Sequence, residues 1–273
     1  MSAKVWFITG TSKGFGRIWA DAALKRGDKV AATARDPKTL DGLVESYGDA
    51  VLPLKLDVTD RDAVFAAVEQ TQKEFGRIDV TINNAGYGHF GMVEEITEVE
   101  MRNQMETNVF GALWVTQAVL PQMRQQKSGH ILQVSSIGGV NAFPGIGAYH
   151  ASKWALEGFS QSLAQEVGEF GIHVTLIEPR GYSTDWGGPS SVHSEPIDAY
   201  ADFREGQKEI RAARWSSPGD PDATPDAILK LVDSEDPPLR LFLGDGNLDM
   251  IKGEYASRVD TWERWDDVAS SAA

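Results

Sequence analysis

The chain has no cysteine among its 273 residues. Disulfides, zinc–thiolate sites and thiol nucleophiles are therefore excluded, although secretion is not. It also lacks long apolar runs. No stretch approaches 18 uninterrupted apolar residues, so no membrane-spanning helix is expected. The apolar run near the N-terminus, around Val5 to Ile8, is too short for the core of a signal peptide. Basic side chains are scarce: 26 Lys+Arg stand against 40 Asp+Glu, a net charge of −14. A phosphate backbone needs a basic surface, so nucleic acid is not an expected partner. The five histidines (His89, His130, His150, His173, His193) show no ligand spacing on a common helix, and no metal centre is expected. What is present, 41% hydrophobic and 24% charged residues, is the balance of an ordinary globular chain. The expectation is a soluble, cytoplasmic protein.

Short apolar, β-branched segments alternate with helical patterns through residues 1–180. Residues 4–9 (KVWFIT), 29–33 (KVAAT), 51–56 (VLPLKL), 78–83 (IDVTIN), 130–134 (HILQV) and 173–177 (HVTLI) read as strands buried on both faces. Pro53 is the weak point of the third, since proline cannot donate to a ladder. Between them, residues 14–26 read as a helix ending at Gly27. Asp36 before Pro37 and Thr97 before Glu100 are helix-start signals, the second opening a long helix to about residue 124. Residues 148–170 form another long helix. Such alternation predicts an α/β fold: a doubly wound, Rossmann-like αβα sandwich around a parallel sheet of about seven strands, in one domain over residues 1–273. The Gly-, Pro- and Ser-rich stretch 184–220 reads as a substrate-side lid. Residues 239–243 (LRLFL) supply a closing strand, followed by a helix.

The first strand runs straight into G-T-S-K-G-F-G, Gly10 to Gly16, at the start of a helix. Gly10 permits the tight turn, and Gly14 and Gly16 permit close approach of a pyrophosphate and of the helix to the strand. The helix N-terminus supplies unpaired N–H groups for the anion. An acidic residue at the end of the second strand would bind the adenosine ribose, but the chain reads Ala34-Arg35-Asp36 there. Arg35 suits a 2′-phosphate, Lys13 adds a second positive charge, and Asp36 is better explained as the cap before Pro37. These features point to NADP(H).

Tyr149 and Lys153 are spaced i, i+4 and project from one helix face. A nearby ammonium favours phenolate and would bring Tyr149 into the general acid/base range. Ser135-Ser136 and Asn83-Asn84-Ala85-Gly86 stand at the ends of predicted strands, the edge where open parallel sheets bind ligands. Asn108 lies inside a predicted helix, where asparagine is unfavourable.

Together these residues resemble the short-chain dehydrogenase/reductase family over roughly residues 4–185. The motifs are T-G-x-x-x-G-x-G (Thr9 to Gly16), L-D-V (Leu56 to Val58), N-N-A-G (Asn83 to Gly86), Asn108, the strand-end serine and Y-x-x-x-K (Tyr149 to Lys153). The strings ILQVSS and YHASKWALEGFS further resemble the 17β-hydroxysteroid dehydrogenase-like subgroup. The family's catalytic serine stands thirteen residues before the tyrosine, which selects Ser136 over Ser135. The resemblance implies a carbonyl–alcohol oxidoreductase in which Tyr149 exchanges the proton and Ser136 binds the carbonyl oxygen. Lys153 would lower the Tyr149 pKa and bind the nicotinamide ribose, and Asn108 would hold a relay water. Cofactor contacts are implied at Gly10, Ser12, Lys13, Gly14, Phe15, Gly16, Arg35, Asp57, Val58, Asn84, Ala85, Gly86, Tyr149, Lys153, Pro179, Tyr182 and Thr184. A homodimer or homotetramer, assembled through the helices near 97–124 and 148–170, is also implied.

One departure stands out. Arg180 occupies the place of the family's usual glycine after Pro179. If that backbone needs positive φ, Arg180 is strained; otherwise the glycine role shifts to Gly181, or the cation reaches an acidic substrate or the cofactor phosphates. The lid carries Trp186, Val192, His193, Ile197, Tyr200, Phe203 and Trp215. With Phe143 and Ile146 these suggest a hydrophobic carbonyl or alcohol substrate, unless they pack the lid itself. His193 reads as a polar loop residue. The competing reading is a non-enzymatic NADP(H)-binding sensor, which would have no use for an activated Tyr149.

Overall fold

The structure is a computed structural model that describes residues 3–188, 190–214 and 217–272, without the side chains of 211–214. Its centre is a seven-stranded sheet of parallel pairs, ordered β3-β2-β1-β4-β6-β7-β9. The strands are β1 (Val5–Ile8), β2 (Lys29–Ala34), β3 (Val51–Lys55), β4 (Val80–Asn83), β6 (Gly129–Val134), β7 (Ile172–Pro179) and β9 (Arg240–Leu243). Two further strands, β5 (His89–Phe90) and β8 (Val192–His193), pair only with each other. The sandwich expected from the alternation is the one found. Pro53 is tolerated because β3 is an edge strand, free on one side.

Strand alternation divides the core into two layers. On β1, Trp6 and Ile8 face one cluster and Phe7 the other. The first layer is closed by α1 (Gly14–Lys25), α2 (Asp41–Tyr47) and α8 (Pro225–Val232) through Trp19, Leu43 and Ile228. The second is closed by α3 (Arg61–Phe75), α5 (Gly111–Gln126) and α6 (Gly147–Val167) through Val64, Val115 and Leu163. The two buried tryptophans keep their N–H groups satisfied: Trp6 donates to Asp28 at 2.8 Å and Trp19 to Thr224 at 2.7 Å.

Capping follows the sequence signals. Asp36 accepts from the Lys38 N–H at 3.1 Å and caps the turn Pro37–Leu40. Thr97 and Glu100 form a reciprocal capping box at the start of α4 (Glu98–Met105). The long helix expected over 97–124 is interrupted: α4 gives way to a π-helical turn, Glu106–Phe110, before α5. The helix expected over 148–170 is α6 followed by a tighter turn, Gly168–Phe170.

Within the stretch predicted as a lid stands α7 (Ala201–Arg214), and β8 ties the start of that stretch to the loop after β4. The last helix, α9 (Asn247–Ser270), follows β9. No helix among the described residues is long and apolar enough to cross a membrane.

Candidate active site

The order of the sheet reverses between β1 and β4, and loops from both open at the C-terminal edge there. A cleft of about 1030 Å³ lies along this edge. Its floor begins with the glycine turn. Gly10 (φ +69°) and Gly14 (φ +58°) hold left-handed backbone. A Cβ at residue 16 would stand 2.5 Å from both the Asn84 amide nitrogen and the Gly10 carbonyl. The Asn84 side chain donates to the carbonyls of Thr9 (2.9 Å) and Gly10 (3.0 Å), while the Thr9 hydroxyl accepts from the N–H groups of Asn84 and Ala85. The N-N-A-G segment thus clamps the turn onto β4.

The surroundings fit a dinucleotide. Lys13, at the N-cap of α1, provides no side-chain cap, and the first turn of α1 holds no acid. The helix start is left open to an anion. A Cβ on Gly14 would meet nothing within 4 Å. Arg35 is exposed at the cleft rim, beyond the end of β2, and makes no hydrogen bond or ion pair among the described residues. Asp57 and Val58 line the same wall; Asp57 holds the Thr59 N–H and hydroxyl, and Val58 packs beside Gly111. Lys13 is ion-paired with Asp185 of the lid at 2.8 Å. Phe15 packs between Trp19 and Tyr182, at ring centroid distances of 4.9 and 5.0 Å. Ser12, Pro179 and Thr184 also line the cleft, and Thr184 caps the lid turn Asp185–Gly187.

At the other end of the cleft the predicted catalytic residues converge. Tyr149 and Lys153 share the buried face of α6, and the Lys153 Nζ lies 5.6 Å from the Tyr149 ring centroid. Ser136, just past β6, is the partly exposed serine, while Ser135 is 2% exposed with an unpartnered hydroxyl. Asn108 is buried in the π-helical turn, not solvent-facing. Its amide donates to Tyr87 O (3.1 Å) and Ser152 Oγ (3.0 Å), and its carbonyl accepts from the Tyr87 N–H. A Cβ on Gly86 would lie 3.0 Å from Asn108 Oδ1 and 3.8 Å from Lys153 Nζ, so the glycine brings β4, α6 and the π-turn together.

The electrostatics depart from the simple expectation. Burial pushes the Tyr149 phenol up to about 12, and a hydrogen bond with Ser136 draws it partly back. Lys153 does not lower it here. Burial brings Lys153 itself down to about 8, partly countered by the charge of Glu157, and its Nζ donates to the Val134 carbonyl at 2.7 Å.

Arg180 is not strained. Lys127 is the only described non-glycine residue with positive φ. The Arg180 guanidinium binds Asp245 at 2.6 Å and the Ser217 carbonyl at 3.3 Å, and the Arg180 stem covers Gly244. The glycine exchange therefore produces a clasp between the ends of β7 and β9. Gly181 does not take over the left-handed conformation either.

The apolar wall contains Trp186, Val192, Phe143 and Ile146, as the sequence suggested, and also Phe90 and Met250, which it did not. Trp186 packs edge-on against Tyr149 at 4.8 Å and against Phe90 at 5.5 Å. Ile197, Tyr200 and Phe203 do not line the cleft: Ile197 N–H binds Glu95, Tyr200 binds Glu94, and Phe203 is exposed. His193 stacks on Phe90 at 5.0 Å and bonds Ser191. Trp215 lies outside the described residues. His150 went unsingled in the sequence. Its Nε2 accepts from the Phe143 N–H at 2.8 Å and its Nδ1 meets the Gly138 carbonyl at 2.7 Å, which fixes the turn after Ser136. Among the described residues, no group of three or more His, Cys, Asp or Glu could hold a metal ion.

Comparison with known proteins finds relatives along the chain. The model of the short chain dehydrogenase family matches residues 4–193. An oxidoreductase of Botryotinia fuckeliana, BOA17, is 44% identical over 99% of this chain and 99% of its own. A short-chain dehydrogenase of Streptomyces avermitilis superposes with a TM-score of 0.91 at 41% identity, covering 100% of this chain and 99% of that one. The structure of ElxO with NADP bound is similar with a TM-score of 0.76 at 26% identity, covering 91% and 100%.

Proposed function

The chain belongs to the short-chain dehydrogenase family of oxidoreductases, and we propose that it interconverts a carbonyl and an alcohol with NADP(H), using Tyr149 as the general acid/base. The observation that carries this reading is the convergence of Tyr149, Ser136, Lys153 and Asn108 in the same cleft as the glycine turn. The motifs around Ser136 and Tyr149 support the 17β-hydroxysteroid dehydrogenase-like branch within the family.

When bound, the nicotinamide supplies or accepts the hydride at the substrate carbon. Gly10, Ser12 to Gly16, Asp57, Val58 and Asn84 to Gly86 would hold the cofactor, with Arg35 at the 2′-phosphate. In reduction Tyr149 gives its proton to the carbonyl oxygen; in oxidation it takes the proton from the hydroxyl. Ser136 donates to that oxygen and stabilises the charge developing on it. A phenol near 12 is a poor proton donor, and its phenolate needs a counter-charge. Lys153, one helical turn along, supplies that charge, and Asn108 positions the relay that restores the proton. Phe90, Phe143, Ile146, Trp186, Val192 and Met250 favour a hydrophobic, flat or alicyclic substrate.

The test is carbonyl-dependent loss of nicotinamide absorbance, with NADPH and NADH in parallel against aliphatic, aryl and steroidal ketones and aldehydes. Turnover with NADPH that disappears in Tyr149→Phe is the expected result. Tight NADPH binding with no turnover on any substrate would replace this reading with that of a sensor.

A further inference from the structure

Behind Lys153 on α6 stand Glu157, buried one turn further on, and Gln161, exposed one turn beyond it. Glu157 is 5% exposed, and it faces Glu178 of β7, which is 0% exposed. Arg240, the first residue of β9, reaches both: its Nε lies 2.9 Å from Glu157 Oε2 and 3.4 Å from Glu178 Oε1. Its Nη2 donates to Gln161 at 2.9 Å. Glu157 Oε1 and both Glu178 oxygens find no other partner among the described residues. Two carboxylates buried side by side repel each other, which favours a proton shared between them. Burial and the neighbouring Glu157 accordingly push Glu178 up to about 8.

Lys153 presents the complementary problem. It is 6% exposed, and its one hydrogen bond among the described residues is to the neutral Val134 carbonyl. A buried ammonium so placed needs a counter-charge. The groups around it are Tyr149 and Glu157 on α6, Asn108 from the π-turn, and Ser135 and Ser136 after β6; beyond Glu157 lie Glu178 on β7 and Arg240 on β9. Glu157 is the carboxylate one turn along the buried face of α6, and its charge acts on Lys153 through space, since no ion pair within 4.0 Å joins the two.

Resting on the reading of Tyr149 and Lys153 given above, we propose that Glu157, backed by Glu178 and Arg240, is a positioning residue that keeps Lys153 an ammonium beneath Tyr149. The carboxyl pair carries one negative charge, held on the α6 side by the proton on Glu178. Removing Glu157 alone moves that charge to Glu178, further from Lys153. Removing both abolishes it.

The experiment follows the Lys153 side chain by NMR of ¹³C-labelled lysine in the cofactor-free protein, with Lys153→Met assigning the signal. Wild type, Glu157→Gln, Glu178→Gln and the double variant are titrated alongside pH profiles of kcat/KM. The Lys153 midpoint is expected to fall in Glu157→Gln, to stay nearest to wild type in Glu178→Gln, and to fall furthest, by about one unit or more, in the double variant. The alkaline limb of the pH profile should move down in the same order. Should the double variant not fold, a fall in Glu157→Gln larger than in Glu178→Gln is the required result. Equal midpoints in all folded forms overturn the proposal. Tyr149→Phe separates the two failures: retained turnover there removes the acid/base reading, whereas the lysine titration judges Glu157 without any turnover.

Discussion

At the scale of single residues, Tyr149 and Arg35 make claims that can be measured separately. Tyr149→Phe removes the exchangeable proton and leaves the ring under Trp186, so packing changes little. Turnover is expected to fall by roughly 10²–10⁴-fold, with cofactor affinity nearly unchanged in a fluorescence titration. Arg35→Ala removes the one guanidinium at the end of β2 whose charge is unspent in the protein. A charge-assisted bond contributes about 1.5–3 kcal/mol, so NADPH should weaken by roughly 10- to 100-fold while NADH holds. Equal loss of both in calorimetry would sink the 2′-phosphate assignment. The meeting of Ser136, Tyr149 and Lys153 in one cleft was legible in the sequence from their motifs and spacing. What escaped it was the balance of forces on them. Spacing shows that Lys153 and Tyr149 share a face, but not that the Nζ turns to the Val134 carbonyl while burial raises the phenol.

At the scale of elements, the glycine turn and the β4 loop behave as one unit. Gly16→Ala would drive a methyl into the Gly10 backbone carbonyl and into the Asn84 side-chain amide, which its bonds to the Thr9 and Gly10 carbonyls hold in place. The expected cost is about 1–3 kcal/mol of stability, read as a lower chemical-denaturation midpoint, with cofactor binding weakened in parallel. Gly14→Ala meets open space and is strained only by its φ of +58°. A variant at 16 as stable as wild type would mean that Asn84 does not clamp the turn. The join of β7, α6 and β9 makes a second prediction. Glu178 has an ordinary value of 4.5 and sits at about 8 when folded. Folding therefore takes up a proton: its contribution to stability is full below about 4.5 and is lost as pH rises through about 8. Glu178→Gln should flatten the fall of the thermal midpoint across that window, and an unchanged slope would place the proton elsewhere. Strands and helices were legible because apolar periodicity and caps are local. The π-turn around Asn108, the β5–β8 pairing and the Arg180 clasp were not, since each depends on partners from 21 to 105 residues away.

At the scale of the molecule, one chain leaves apolar surface exposed. Large apolar side chains stand exposed along the helices between residues 98 and 170: Val99 at 66%, Phe110 at 40%, Trp154 at 40% and Phe170 at 36%. Phe110 also rims a hollow with Met101 and Met105. A net charge of −14 opposes contact between copies, so association would draw on this apolar surface, and added salt should strengthen it by screening. We expect a homodimer or homotetramer by light scattering at micromolar concentration, and a shift toward the 29.8 kDa chain in Phe110→Glu. A wild-type mass of 29.8 kDa would refute the assembly outright. The consequence reaches the catalytic centre, because Phe110 closes the same π-helical turn, Glu106–Phe110, that holds Asn108 against Ser152 and Tyr87. Packing of a second copy on Phe110 would brace that turn from outside, so the dissociated variant should lose turnover as well as mass. If it turns over as fast as the assembled enzyme, the turn holds Asn108 without help and the assembly serves stability alone.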